Sequence, residues 1–174
     1  MRCGLLGEKL GHSYSPALHA LFGDYDYELF EVSPDRLGDF LRVRDFQGLN
    51  VTIPYKTTML AICDDLTETA ATIGSVNTVL KQLDGSLLGD NTDAAGFEGM
   101  VWKSRIRILG RKCLVLGSGG ASLSAQYVLR KLGAGEVVVI SRTGENNYDN
   151  LDRHQDAAVI VNATPAAIGG EIIL

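Results

Sequence analysis

Apolar positions along the chain alternate between short continuous runs and a three-and-four spacing, the order expected of strands followed by helices. Arg2–Leu6 reads as a strand. Ser15 is then placed as an N-cap with Pro16 at the first helical position, and Leu18, Leu21 and Phe22 share one helical face. Tyr27–Val32 predicts a second strand. Ser33-Pro34 repeats the helix-start chemistry ahead of Leu37, Phe40 and Leu41, and Gly48–Ile53 predicts a third strand ending at Pro54. Val76–Gln82 and Ser86–Gly89 predict a hairpin, because Asp84-Gly85 suits a turn that needs positive φ. Asp93–Lys103 reads as a helix linking two halves.

The second half repeats the alternation more cleanly. Lys112–Leu116 is an uninterrupted apolar run, the pattern of a strand buried on both faces. It enters Gly117-Ser118-Gly119-Gly120-Ala121-Ser122, and a helical spacing follows through Leu123, Tyr127, Leu129 and Leu132, with Gly133 as its stop. Val137–Ile140 and Ala157–Val161 predict two further strands, the second leading into Asn162-Ala163-Thr164-Pro165. Strands alternating with helices imply a mostly parallel sheet covered by helices. The fold class is therefore α/β, an N-terminal open α/β domain over residues 1–100 followed by the first half of a Rossmann-type doubly wound parallel sheet over 101–174.

Composition narrows the partners. A net charge of −5 and a pI near 5.1 leave no basic face for nucleic acid or anionic lipid, so an anionic ligand must be met by a few local donors. No apolar run reaches membrane-spanning length, and Met1–Gly7 is too short and glycine-broken for a signal peptide. Three scattered cysteines form neither a disulfide framework nor a zinc motif, which fits a reducing, cytoplasmic setting.

The glycine-rich turn carries the first chemical signal. Gly117 suits a left-handed turn, Gly119 allows close approach of a pyrophosphate, and the following helix start supplies N–H donors. A lone GxG is often only a tight turn; here it sits between a strand and a helix, the context a dinucleotide site requires. Ser122 stands where a third glycine is common. After the next strand comes Ser141-Arg142-Thr143 with no acid, and a cation there suits a 2′-phosphate better than a bare ribose, so NADP is expected over NAD.

In the first half, polar clusters fall where apolar strands end: His12-Ser13-Tyr14-Ser15-Pro16, Asn50-Val51-Thr52-Ile53-Pro54-Tyr55-Lys56, Gly74-Ser75-Val76-Asn77-Thr78, and Gly89-Asp90-Asn91-Thr92-Asp93. Ligands of open α/β sheets lie beyond the carboxyl ends of the parallel strands. Taken singly, Ser15 reads as an N-cap, Asn77 as a turn residue and Asp93 as an acid in a first helical turn. Lys56 is placed at a helix start, where the macrodipole disfavours a cation, a setting suited to proton transfer. His12, His19 and His154 form no triad pattern.

Together the segments HSYSP, NVTIPYK, IGSVNT, GDNTD, GSGGAS and SRT, with NATP after the third strand of the second half, resemble the shikimate dehydrogenase family, in family order along essentially the whole chain. The resemblance implies that Ser13 and Ser15 hold a substrate carboxylate and that Thr52, Asn77 and Asp93 bind ring hydroxyls. Lys56 and Asp93 would form the catalytic pair for NADPH-dependent reduction of 3-dehydroshikimate to shikimate. It further implies cofactor contacts at Gly117, Ser118, Gly119, Gly120, Ala121, Ser141, Arg142, Thr143, Asn162 and Thr164, no metal, and a monomer or homodimer.

Family members continue through further nucleotide-domain strands and a C-terminal helical region. The chain is accordingly expected to be C-terminally truncated, with impaired turnover but retained ligand binding as the non-enzymatic alternative. Quinate or quinate/shikimate dehydrogenase is the near alternative within the same chemistry.

Overall fold

β1 (Arg2–Gly7) is the centre from which the first unit is built, with β2 (Asp26–Glu31) paired parallel on one side and β3 (Gly48–Val51) parallel on the other. The computed structural model describes residues 1–11 and 13–165; His12, in the first polar cluster, lies outside the described residues. The chain divides into two compact units, Met1–Thr92 and Asp93–Leu174. The first carries a six-stranded mixed sheet in the order β2-β1-β3-β5-β6-β4, completed by β4 (Asp65–Leu66), β5 (Thr78–Lys81) and β6 (Leu87–Asp90). The β5–β6 hairpin turns at Gly85 with φ +86°, as the Asp-Gly signal predicts. Leu6, Leu49, Met59, Val79 and Leu87 are fully or almost fully buried at the heart of its core.

Helices in this unit are short. α1 (Ser15–His19) spans five residues and buries none of them; α2 (Leu37–Val43) buries Leu37 and Leu41. The expected apolar face of α1 lies open, with Leu21 80% and Phe22 76% exposed. The helix ends before those two residues, so the helical spacing that groups them with Leu18 does not hold there. Ser15 is likewise not an N-cap. It is the first helical residue, and Ser13 Oγ accepts the Ser15 N–H at 3.2 Å. One helix escaped the hydrophobic pattern: α3 (Glu68–Ile73), capped by the Thr67 hydroxyl accepting from the Ala70 N–H and stopped by Gly74 in the left-handed region.

Gly4 shows how closely this sheet is filled. A methyl group there would overlap the Glu28 carbonyl oxygen on β2 and the Phe30 ring. Gly4→Ala is expected to destabilise the unit by about 1–3 kcal/mol, as overpacking does. A lowered urea midpoint would show it, and an unchanged midpoint would contradict it.

The second unit is a parallel three-stranded sheet, β8-β7-β9, with β7 (Lys112–Leu116) central, β8 (Glu136–Ile140) and β9 (Val159–Asn162) beside it. Alternation along β7 serves both faces. Cys113 and Val115 pack with Val101 of α4 (Asp93–Ser104) and with Ala125 and Leu129 of α5 (Gly120–Lys131). Leu114 packs on the other face with Val138 and Ile140, beside Leu151 of a short 3-10 segment, Tyr148–His154. The run reads as continuously apolar because both faces are covered. α5 ends where predicted, with Gly133 at φ +78° and its N–H bonded to the Arg130 carbonyl at 3.0 Å. No helix among the described residues is long and apolar enough to cross a membrane.

Candidate active site

Each unit has a point where neighbouring parallel strands send the chain to opposite sides. In the first this lies between β1 and β3, and in the second between β7 and β9. Loops leaving the carboxyl ends part there and leave a crevice, the usual ligand position in open α/β sheets. Polar residues singled out from the sequence gather at these ends.

In the first unit, the segment after β1 brings Ser13 and Ser15 together, their hydroxyls 3.1 Å apart. The segment after β3 holds Thr52, whose N–H bonds the Leu6 carbonyl at 2.9 Å. A methyl on Gly7 would lie 2.7 Å from the Thr52 side chain, so the small residue lets the two segments approach. Lys56 is half-buried in a turn that follows the cis Ile53–Pro54 bond. No helix starts at Lys56; the Thr58–Ala61 3-10 turn begins two residues later and is too short to exert the dipole expected from the sequence. Its backbone is positioned instead by the Lys56 carbonyl accepting the Val76 N–H at 2.8 Å.

Asn77 is buried in a bend directly before β5. Its Oδ1 accepts the Thr92 N–H at 2.9 Å, and its Nδ2 donates to Thr92 Oγ1 at 3.0 Å. Buried Asn91 donates to the Ser75 carbonyl at 2.8 Å, while Asp90 accepts from the Thr67 hydroxyl at 2.6 Å. These bonds fix the segment that ends at Thr92, directly before Asp93. Asp93 itself is the first residue of α4 and belongs to the second unit.

Sequence reading overlooked Tyr27. Its hydroxyl donates to Asn50 Oδ1 at 2.7 Å, and its ring stacks on His19 with centroids 3.7 Å apart. Burial pushes its phenol up to about 12, opposed by a hydrogen bond from Ser15, so Tyr27 is a neutral donor at physiological pH. The local signal was only an aromatic in a strand. Burial also pushes the Cys63 thiol up to about 11 and raises that of Cys113, so neither is an activated nucleophile.

In the second unit Gly117 follows β7 with φ +104°, and its N–H bonds the Ile140 carbonyl at 2.8 Å. A Cβ there would lie 3.0 Å from the Ala163 carbonyl oxygen, so the glycine turn and the loop after β9 meet at the crevice. Ser118 and Gly119 lead into α5, which starts at Gly120 and Ala121 with no acid in its first turn. Ser122, in place of the third glycine, is fully buried and accepts a hydrogen bond from Gln126 at 3.0 Å, so the small side chain is accommodated and satisfied.

Ser141, Arg142 and Thr143 form a turn after β8, closed by the Ser141 N–H bonding the Asn146 carbonyl at 3.1 Å. Arg142 is exposed and, among the described residues, has no carboxylate partner. Asn162 Oδ1 accepts from the N–H and hydroxyl of Thr164 at 3.0 and 2.7 Å, shaping the turn that faces Gly117. A largely apolar cavity of about 200 Å³ opens between α4, α5 and the end of β9, lined by Phe97, Met100, Ala121, Ala125 and Val161, with Asp93 and Asn162 also on its wall.

This arrangement defines a two-unit α/β protein: a polar crevice in a mixed sheet, followed by a glycine turn and helix start of the dinucleotide-binding kind. Residues 5–79 match the family model of the shikimate dehydrogenase substrate binding domain. The chain is 34% identical over 190 aligned residues to a shikimate dehydrogenase (NADP(+)) from Clostridium botulinum, covering 96% of this chain and 71% of the relative. A crystal structure of shikimate dehydrogenase 1 from Peptoclostridium difficile superposes with a TM-score of 0.91 at 31% identity, covering 99% of this chain and 70% of that one. Another, from Thermus thermophilus in complex with NADP(H) and shikimate, gives 0.82 at 37% identity, covering 95% and 69%. The chain belongs to the shikimate dehydrogenase family.

Proposed function

We propose that this protein interconverts 3-dehydroshikimate and shikimate with NADP(H), acting as a reductase of the ring ketone. The carrying observation is the paired hydroxyls of Ser13 and Ser15, 3.1 Å apart in the first-unit crevice, in a chain whose second unit offers a glycine turn followed by Arg142 rather than an acid. The same two ligands occupy the Thermus thermophilus relative.

Ser13 and Ser15 donate to the substrate carboxylate, and Thr52, Asn77 and Asp93 bind ring hydroxyls. The second unit fits the cofactor: Gly117 makes the left-handed turn, Gly119 leaves the backbone open to the close approach of a pyrophosphate, the acid-free start of α5 offers backbone donors over Gly119–Ala121, and Arg142 awaits a 2′-phosphate. NADPH, when bound, supplies the hydride. Lys56 stabilises or protonates the oxygen on which charge develops, and Asp93 is the second member of the catalytic pair.

Calorimetric titration with shikimate, alongside loss of NADPH absorbance with 3-dehydroshikimate, tests the reading. Shikimate binding is expected, and its absence would reject the proposal. Ser13→Ala and Ser15→Ala should each weaken that binding by roughly 0.5–3 kcal/mol, the range for one hydrogen bond, reaching its upper end when the acceptor is charged. Unchanged affinity in both variants would remove the serines from the site.

A further inference from the structure

The turn after β8 that presents Arg142 is folded back on itself and held from behind. The Ser141 N–H bonds the Asn146 carbonyl at 3.1 Å, and a Cβ on Gly144 would lie 2.6 Å from Ser141 Oγ. Three side chains that follow it, in the stretch ending the Tyr148–His154 3-10 segment, grip this turn. Asn147 Nδ2 donates to the Gly144 carbonyl at 3.3 Å, Asn150 Nδ2 donates to the Glu145 carbonyl at 2.9 Å, and His154 Nε2 lies 2.9 Å from Asn146 Oδ1. An amide oxygen only accepts hydrogen bonds, so His154 Nε2 carries the proton. His154 Nδ1 is then a bare acceptor, buried and without a partner among the described residues. Leaving a buried nitrogen unpaired costs stability. An apolar side chain would fill that place without the cost, so what the imidazole contributes is the N–H that reaches Asn146.

We propose that His154 is a positioning residue for the cofactor's 2′-phosphate, bracing through Asn146 the turn that carries Arg142. The inference rests on the proposed pairing of Arg142 with that phosphate. A loose turn loses backbone freedom when it closes on a ligand, and the lost entropy is subtracted from the affinity. Here the turn has its shape beforehand. Arg142 is exposed and pairs with neither Glu145 nor any other carboxylate among the described residues, so the guanidinium is available to an incoming anion. NAD has no 2′-phosphate for Arg142 to meet, so the brace favours NADP over it.

Calorimetry with NADP and with NAD separates bracing from general loosening. His154→Ala is expected to weaken NADP roughly 3- to 10-fold, the range for one net hydrogen bond, and to leave NAD unchanged. His154→Gln keeps an N–H donor at that position and should recover most of the NADP affinity. Asn146→Ala removes the acceptor but keeps the backbone bond to Ser141, so it reads the same contact even where His154→Ala fails to fold. The double variant should bind NADP no more weakly than either single one, because both remove one bond. Unchanged NADP affinity in both alanine variants, equal weakening of NADP and NAD, a loss in His154→Gln as large as in His154→Ala, or additive losses in the double variant would each overturn the inference while leaving Arg142 in place. A wild-type chain with no preference for NADP over NAD would overturn the pairing of Arg142 with the 2′-phosphate, and this inference with it.

Discussion

Lys56→Ala is expected to lower turnover of 3-dehydroshikimate by about 10²–10⁴-fold, the usual worth of a positioned general acid, with a much smaller change in shikimate affinity. Charge builds on the ketone oxygen only as hydride arrives, so a cation beside it acts chiefly on the transition state. Lys56 is suited to this by its backbone: its carbonyl is tied to the Val76 N–H at 2.8 Å, in the stretch that leads to buried Asn77. Alanine keeps that bond, so a melting curve close to wild type should accompany the lost activity. Measuring kcat and KM separately decides the matter. Near-normal kcat would exclude Lys56 from the chemistry, and a raised KM with unchanged kcat would make it a binding residue only.

Gly117→Val should abolish measurable NADP binding while leaving shikimate binding in place. At φ +104° the backbone lies where a β-branched residue is strained, at a cost of about 1–3 kcal/mol. Its Cβ would also lie 3.0 Å from the Ala163 carbonyl oxygen and 3.3 Å from the Thr164 side chain. Relief requires the turn or the loop after β9 to move, and both border the crevice proposed for the cofactor. The shikimate residues of the first unit do not share this strain. Parallel titrations with NADP and shikimate provide the check. Normal NADP affinity would show that the turn is only a connection, and loss of both ligands would indicate global unfolding.

Much of the second unit was legible before any coordinates. β7 was read to the residue, because a strand covered on both faces is a continuous apolar run. Gly85 and Gly133 were placed correctly for a related reason: positive φ carries a local steric cost that glycine alone avoids. Six ordered segments also sufficed for the family. Less legible were elements whose signals are short. β4 has two residues, and α3 carried a Thr67 cap and a Gly74 stop that the hydrophobic pattern alone did not reveal. The face shared by Leu18, Leu21 and Phe22 failed because helical spacing has meaning only while the helix lasts, and α1 ends at His19.

The sequence by itself determined where most of the strands run, where glycine must turn the chain, and which polar residues stand at strand ends. Those properties depend on steric preference and side-chain spacing over a few residues. Only the tertiary structure decided that β8 and β9 flank β7, that Gly117 abuts Ala163, and that Tyr27 donates to Asn50. Partners distant in the chain are selected by the packing and hydrogen-bonding free energy of the whole unit. No local pattern of apolar and polar positions records that choice.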